Sequence, residues 1–578
     1  MERRAFLKAL TAGPLFTETL SHAVTEDIPG PGPLGDTLKV RVDAPDGPLV
    51  SRAFEILKSR VGKRCPIRVV RADTDAQLIL AVSASLPQEG FSIENAEGVV
   101  RVSGGSPSGL IYGVGKFLRT CRYNNGFELA DWRGTAVPQG AFRGLYFASH
   151  FHNWYQTAPD TEIIEYMEDL TLWGVNALMI SFPLINLRDW DDPQTSVATA
   201  MVRKFARISR DLGVQFGIGA GNALFQGVPA SIRATPLADP THRRGNHGYP
   251  VCPSNPDGHR YILDTYREVF HRLSDIGLDF LVFWPYDEGG CACDKCMPWG
   301  SNAFFKMAKE ITSLGRETFP NLKIALSTWM FDTPPEGEWQ GLTDKLANEN
   351  GWLDMILADA HEEFPRYPLD SGVPGNLPLI NFPEISMWGN APWGGVGANP
   401  LPTRFQRLWD QVKGVVRGGL PYSEGIYEDM NKAIVVQFYW DSDQTAQATL
   451  REYASYEFGL SDTGEVFSLV DLLEAAASDS YKEKPVDKAK VVQALGLANS
   501  IQSRLPEWAL KSWRWEILYL RAILDNDRFA GEGLESKAAE AALMRLIKIY
   551  HCELETEDPY HHRVRPRSKM AKTRGKEL

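Results

Sequence analysis

Between residues 138 and 440 the hydrophobic pattern alternates between two periods. Stretches with apolar positions three and four apart run to a glycine, and a short continuous apolar run follows at once. "IIEYMEDLTLWG" leads to "VNALMISF", "ARISRDLG" to "VQFGIGAG", and "EVFHRLSDIG" to "LDFLVFWPYDE". The first kind predicts an amphipathic helix and the second a strand buried on both faces. Gly174, Gly213 and Gly277 fit the left-handed residue that ends a helix before a strand. With "FRGLYFASH" in front and "LKIALSTW", "LDMILADA", "LPLINFPEI" and "GLPYSEGIYED" behind, the pattern predicts eight strands. Strand alternating with helix over such a length is the signature of a (β/α)8 TIM barrel. A doubly wound sheet shares the alternation, but no Gly-rich dinucleotide turn follows any of these strands.

The pattern differs on either side. Residues 36–137 read as a small α/β domain: "TLKVRV", "PIRVVRA", "AQLILAVS" and "GVVRVSGG" are strand-like, while "LVSRAFEILKSRV" and "SGLIYGVGKFLRTC" are helical. Residues 130–141 read as a linker. From 441 to 578 strand signals vanish, and "QATLREYASYEFG", "EVFSLVDLLEAAASDS", "VVQALGLANSIQSRL" and "WRWEILYLRAILDND" are helical by period. This predicts a C-terminal helical domain. At the front, Arg3-Arg4 followed by Phe6-Leu7-Lys8, a short weakly apolar stretch and "SHA" predicts a twin-arginine-type signal over 1–24 and an exported protein.

Composition narrows the function. At 578 residues the chain needs more than one core. A net charge of −12 disfavours a nucleic-acid partner, which requires a basic face. No segment after the leader reaches the ~18 apolar residues of a membrane span. Aromatic residues make up 11%, with 16 Trp, enough to line a site as well as a core.

In a barrel of this kind chemistry sits at the C-terminal strand ends. Those ends carry His150, His152, Asn153 and Trp154; Asn222; Trp284, Tyr286, Asp287 and Glu288; Trp329; Asp359, His361 and Glu362; Glu384 and Trp388; and Glu424, Tyr427 and Asp429. A ring of carboxylates and aromatics with few cations suits a neutral carbohydrate. Glycoside hydrolysis needs an acid for the leaving oxygen and a second group to stabilise the oxocarbenium-like centre. The adjacent pair Asp287-Glu288 can divide those roles, since neighbouring carboxylates raise the pKa of one of them.

The small domain ending in "GLIYGVGKFLR", the barrel opening "RGLYF" and the "YDE" closing strand four together resemble the glycoside hydrolase family 20 hexosaminidases, over roughly 36–440. The resemblance implies that Glu288 protonates the leaving group. It implies also that Asp287 orients the 2-acetamido group, whose carbonyl oxygen attacks the anomeric carbon to give an oxazolinium. It further implies an exo-acting, retaining β-N-acetylhexosaminidase on an amino-sugar glycan or glycoconjugate, with the glucosamine or galactosamine epimer and self-association left open. The chain departs from the family in having "FWPY" where His-x-Gly-Gly precedes the acid pair. It also has His150 and His152 in place of a substrate-binding Arg after strand one, as expected of a divergent relative.

Two other logics compete. Glu384 sits where a nucleophile from strand seven would act with Glu288 as acid/base. An α-glucuronidase would need a cation for the uronate, and "THRRGNHG" with Arg243 and Arg244 is the basic loop able to supply one. A non-catalytic carbohydrate-binding barrel fits the intact acid pair least.

Cys291, Cys293 and Cys296 form Cys-x-Cys-x-x-Cys, and Cys252 lies in the loop of the preceding strand. Four convergent thiolates suit structural zinc. Disulfides are the alternative, made awkward by the close spacing. Catalysis itself is expected to need no cofactor.

Overall fold

The computed structural model describes residues 35–96, 98–123, 126–129, 131–150, 153–237, 249–286, 290–333, 336–349, 351–360, 363–385, 397–554 and 563–564. The expected signal segment and most of the basic C-terminal tail lie outside them.

The first unit is a six-stranded sheet with two helices. Thr37–Asp43 pairs in parallel with Arg68–Arg71 and Leu78–Val82, and the latter pairs in parallel with Val99–Gly104. Phe91–Ala96 joins antiparallel to Val99–Gly104. Helices Pro48–Arg64 and Pro107–Thr120 contribute the apolar residues that cover it. The second begins at Ser106, whose hydroxyl accepts from the Gly109 amide at 3.2 Å. The linker read over 130–141 is in part a strand: Gly134–Ala136 pairs with Phe91–Ala96 at the sheet edge. Three residues are too few to show a period of two, so the pattern missed it.

Eight parallel strands follow and close into a barrel. They are Phe142–Phe147, Ala177–Ile180, Gln215–Ala220, Phe280–Phe283, Lys323–Ser327, Met355–Asp359, Leu379–Phe382 and Val416–Gly419, the last continued as Tyr422–Ser423. Strand eight closes on strand one through Gly418↔Phe142 and Tyr422↔Tyr146. It is split at Leu420-Pro421, where proline has no N–H to give the ladder. The Pro421 carbonyl still accepts from the Tyr146 amide at 2.9 Å. Large and small residues alternate across the interior. A Cβ on Gly217 would lie 2.2 Å from the Phe280 ring, and Phe280 meets Phe142 edge-on at 5.0 Å. Gly174, Gly213 and Gly277 take positive φ of 104°, 67° and 88°, as their places before strands require.

The C-terminal part is helical, with long helices at Ala446–Phe458, Gly464–Tyr481, Lys488–Gln502, Trp513–Phe529 and Lys537–Tyr550. Among the described residues no helix is long and apolar enough to cross a membrane.

A buried ionic network ties the three parts together. Arg60 of the small domain meets Asp169 and Glu168 of the first long barrel helix at 2.7 and 2.9 Å. Arg514 of the helical domain meets Asp169 at 3.0 Å and Asp429, after strand eight, at 2.7 Å. Nearby, Glu452 of the helical domain accepts from Lys116 at 2.8 Å and from Arg119, both in the small domain. Burial alone would raise the Glu452 carboxyl, but Arg119 and Lys116 outweigh it and hold it at about 2. Its contribution is therefore full above the ordinary value of 4.5 and is lost as pH falls toward 2. Glu452→Gln should lower stability by about 3 kcal/mol at neutral pH, because two cations lose their buried partner. Denaturation midpoints of wild type and variant should converge as pH drops through that window; a gap that stays constant would contradict the assignment.

Candidate active site

The C-terminal mouth of the barrel is floored by a continuous run of aromatic rings. Trp329 at the end of strand five lies 5.9 Å from Trp284, tilted by 34°. Trp284 meets Phe382 of strand seven at 4.8 Å, Phe382 meets Tyr422 at 6.0 Å, and Tyr422 meets Tyr146 of strand one edge-on at 5.4 Å. His150 ends the run, its ring stacked 6.0 Å from Tyr146. The Tyr146 hydroxyl lies 3.1 Å from His150 Nδ1 and 2.6 Å from Ser181 Oγ, so a polar corner adjoins the apolar floor. Trp329, Phe382, Tyr422 and Tyr146 are buried, whereas Trp284 and His150 stay partly open. Strand direction explains the run: in a parallel barrel, last inward-facing side chains converge on one rim.

Carboxylates stand beside the floor. Glu384 follows strand seven and is buried, its backbone bridged to that of Tyr422. Glu424 follows strand eight and accepts from the Tyr422 hydroxyl at 2.7 Å. Burial first, then the Glu424 carboxylate, pushes the Tyr422 hydroxyl well above its ordinary value of 10.0, so it stays protonated and donates. Asp359 ends strand six and is half-buried.

Other residues expected at the site are committed to the framework. Asn153 caps the short helix Trp154–Thr157 and donates to the Ala148 carbonyl at 2.8 Å. Tyr427 is buried beside Tyr550 of the helical domain, with ring centroids 6.1 Å apart. Asp429 belongs to the interdomain network, accepting from Tyr453 at 2.7 Å as well as from Arg514. Asn222 donates to the Val251 carbonyl at 3.1 Å and so pins the residue before Cys252. Tyr286 is fully buried and gives its hydroxyl to Glu338.

Asp287 and Glu288 lie outside the described residues, as do His152, His361, Glu362, Trp388 and the basic loop at 241–248. What flanks the acid pair is well defined. Glu338 is completely buried and accepts from the Gly300 and Ser301 amides at 2.8 and 2.7 Å, as well as from Tyr286. Trp299 donates from its indole nitrogen to the Pro285 carbonyl. Both ends of the segment 286–300 are thus fastened to one buried carboxylate and one buried indole. No local pattern marks Glu338, which sits at the start of a helix 50 residues beyond Glu288. Tyr146, Phe382 and Tyr422 are absent from the residues expected at the site, although their places in the predicted strands "FRGLYFASH", "LPLINFPEI" and "GLPYSEGIYED", near the strand ends, could have marked them.

The four cysteines of the expected metal set do converge, with all four sulfurs within 4.8 Å of one another.

No known family profile and no curated protein matches the sequence. Solved structures do match in fold. A family 89 glycoside hydrolase from Clostridium perfringens, in complex with PUGNAc, superposes with a TM-score of 0.59 at 12% identity, covering 87% of this chain and 65% of that one. A family 115 4-O-methyl-α-glucuronidase with specificity for decorated arabinogalactans gives 0.58 at 10% identity, covering 89% and 76%. A mutant β-hexosaminidase from Streptomyces plicatus, in complex with its product GlcNAc, gives 0.52 at 13% identity, covering 74% and 92%. At these identities the likeness is one of fold. The small α/β domain and closed parallel barrel have the family 20-type fold that the short motifs led us to expect, and the C-terminal helices follow them.

Proposed function

We propose that this chain is a glycoside hydrolase and, within that class, an exo-acting, retaining β-N-acetylhexosaminidase. The observation that carries the reading is the aromatic floor with Asp359, Glu384 and Glu424 at its edge. Indole and phenol faces pack against the C–H surfaces of a pyranose, and carboxylates accept hydrogen bonds from its hydroxyls. Shared fold with three glycoside hydrolases supports the class.

Asp287 and Glu288 follow Phe283, the last residue of strand four, by four and five positions. In the proposed reaction Glu288 gives its proton to the glycosidic oxygen as the bond to the anomeric carbon breaks. The carbonyl oxygen of the substrate's own acetamide forms the new bond to that carbon, while Asp287 holds the amide N–H and offsets the charge of the oxazolinium. Water then opens the ring, losing a proton to the Glu288 carboxylate, and the anomeric configuration is retained.

A panel of chromogenic aryl glycosides tests the class and the sugar together. N-acetylhexosaminides should be cleaved, and plain hexosides and glucuronides left intact. Cleavage of glucuronides alone would favour the α-glucuronidase reading, and no cleavage at all would favour a binding barrel. Trp284→Ala should then remove about 2 kcal/mol of sugar stacking, roughly thirtyfold in kcat/KM. A variant with wild-type kcat/KM would take the indole out of the site.

A further inference from the structure

We infer that Cys252, Cys291, Cys293 and Cys296 form a closed, structural zinc site that clamps together the loops that follow strands three and four at the C-terminal face of the barrel.

Sulfur geometry is the first argument. Cys252 Sγ lies 3.8 Å from Cys296 Sγ and 4.0 Å from Cys293 Sγ, and all four sulfurs fall within 4.8 Å. A tetrahedral zinc with bonds of about 2.3 Å sets its sulfurs about 3.8 Å apart, whereas a disulfide needs about 2.05 Å. All four thiols are free. Each sulfur is close to several others at once, which one ion satisfies and two pairwise bonds do not.

The backbone around the cluster is built to hold it. The Cys293 carbonyl accepts from the amides of Cys296 and Met297 at 2.9 and 3.2 Å, a tight turn that brings Cys293 and Cys296 to one side. The Ser254 hydroxyl lies 3.1 Å from Cys296 Sγ, a neighbour of the kind that orients a metal ligand. The Cys252 amide donates to Ile232, Ala234 donates to Pro250, and Ala292 donates to Thr235, each at 2.8 to 2.9 Å. Three passes of the chain therefore meet at the sulfurs. Cys291 and Cys296 are completely buried, so the fourth coordination position is a thiolate and not an open site for water. That makes the ion a brace and not a reaction centre. Cys291 stands three residues after Glu288, so the clamp adds a hold on the far side of the acid pair, whose near side is held through Tyr286 on Glu338 and Pro285 on Trp299.

Four thiolates on a tetrahedron fit zinc or a single iron, and elemental analysis of the full-length protein, purified without chelator, separates them. About one zinc per chain is expected, with every cysteine still alkylatable under denaturing, non-reducing conditions. Cys293→Ser, at the half-buried edge of the cluster, should lose the zinc and lower the thermal midpoint. Removing zinc from the wild type with a chelator should lower the midpoint likewise, and adding zinc back should restore it. Protein that contains no stoichiometric metal, that carries iron instead, or that holds these cysteines as disulfides would overturn the proposal. Full zinc retention in Cys293→Ser would overturn the ligand set. None of these readouts depends on glycosidase activity, so the site and the proposed reaction stand or fall separately.

Discussion

Glu288→Gln is expected to lose about 10²- to 10⁴-fold in kcat/KM on N-acetylhexosaminides with alkyl or sugar aglycones. Glutamine fills the same space and keeps hydrogen-bonding capacity but has no proton to give. An alkoxide leaving without a proton faces a steep barrier, and an activated aryl group such as dinitrophenolate does not. The loss should therefore shrink strongly for activated aryl substrates. For those substrates the same variant should also lose the acidic limb of kcat that depends on ionising Glu288 as the base for water. Equal losses on both kinds of leaving group would remove Glu288 from the acid role.

Asp287→Asn should cost about 10²- to 10³-fold in kcat, because the anion that faces the developing oxazolinium charge is replaced by a neutral dipole. Glu384→Gln should cost only about tenfold, as befits the loss of a hydrogen bond to a sugar hydroxyl. The contrast discriminates between two mechanisms that share the same barrel. If Glu384 is the nucleophile, the order reverses: Glu384→Gln abolishes turnover, Asp287→Asn is mild, and sugars lacking the acetamide are cleaved. Measuring both variants on substrates with and without that group settles which carboxylate the reaction depends on.

Much of this frame was legible in the sequence, and its limits have physical causes. The eight strands could be read because nearly all their residues are buried, on both faces, and each begins just after a helix-ending glycine or loop. Gly213 and Gly277 mark two of those starts. The strand ends then followed, and with them Trp284, Trp329, Asp359, Glu384 and Glu424. What could not be read is which strand-end residues face the mouth and which face neighbouring elements. Tyr427 and Asp429 are three and five residues beyond Glu424, yet both point into contacts with the helical domain, whose packing no local pattern encodes. Asn153 was indistinguishable from a ligand-binding amide until its capping role was seen. Conversely, Phe382 and Tyr422 read as ordinary core, and only the closure of strand eight on strand one lines them up with Tyr146. Spacing brought Cys291, Cys293 and Cys296 together by itself. Cys252 joined them because adjacent barrel strands put their loops side by side.

The central claim is that the substrate's own amide is the nucleophile. It is tested most directly by titrating the enzyme with a thiazoline that mimics the oxazolinium while it turns over an aryl N-acetylhexosaminide. A mimic of the reaction's intermediate should bind at least about 10²-fold more tightly than the parent sugar, and competitively. Binding no tighter than the parent sugar, with covalent labelling of Glu384 by a mechanism-based fluorosugar, would contradict it.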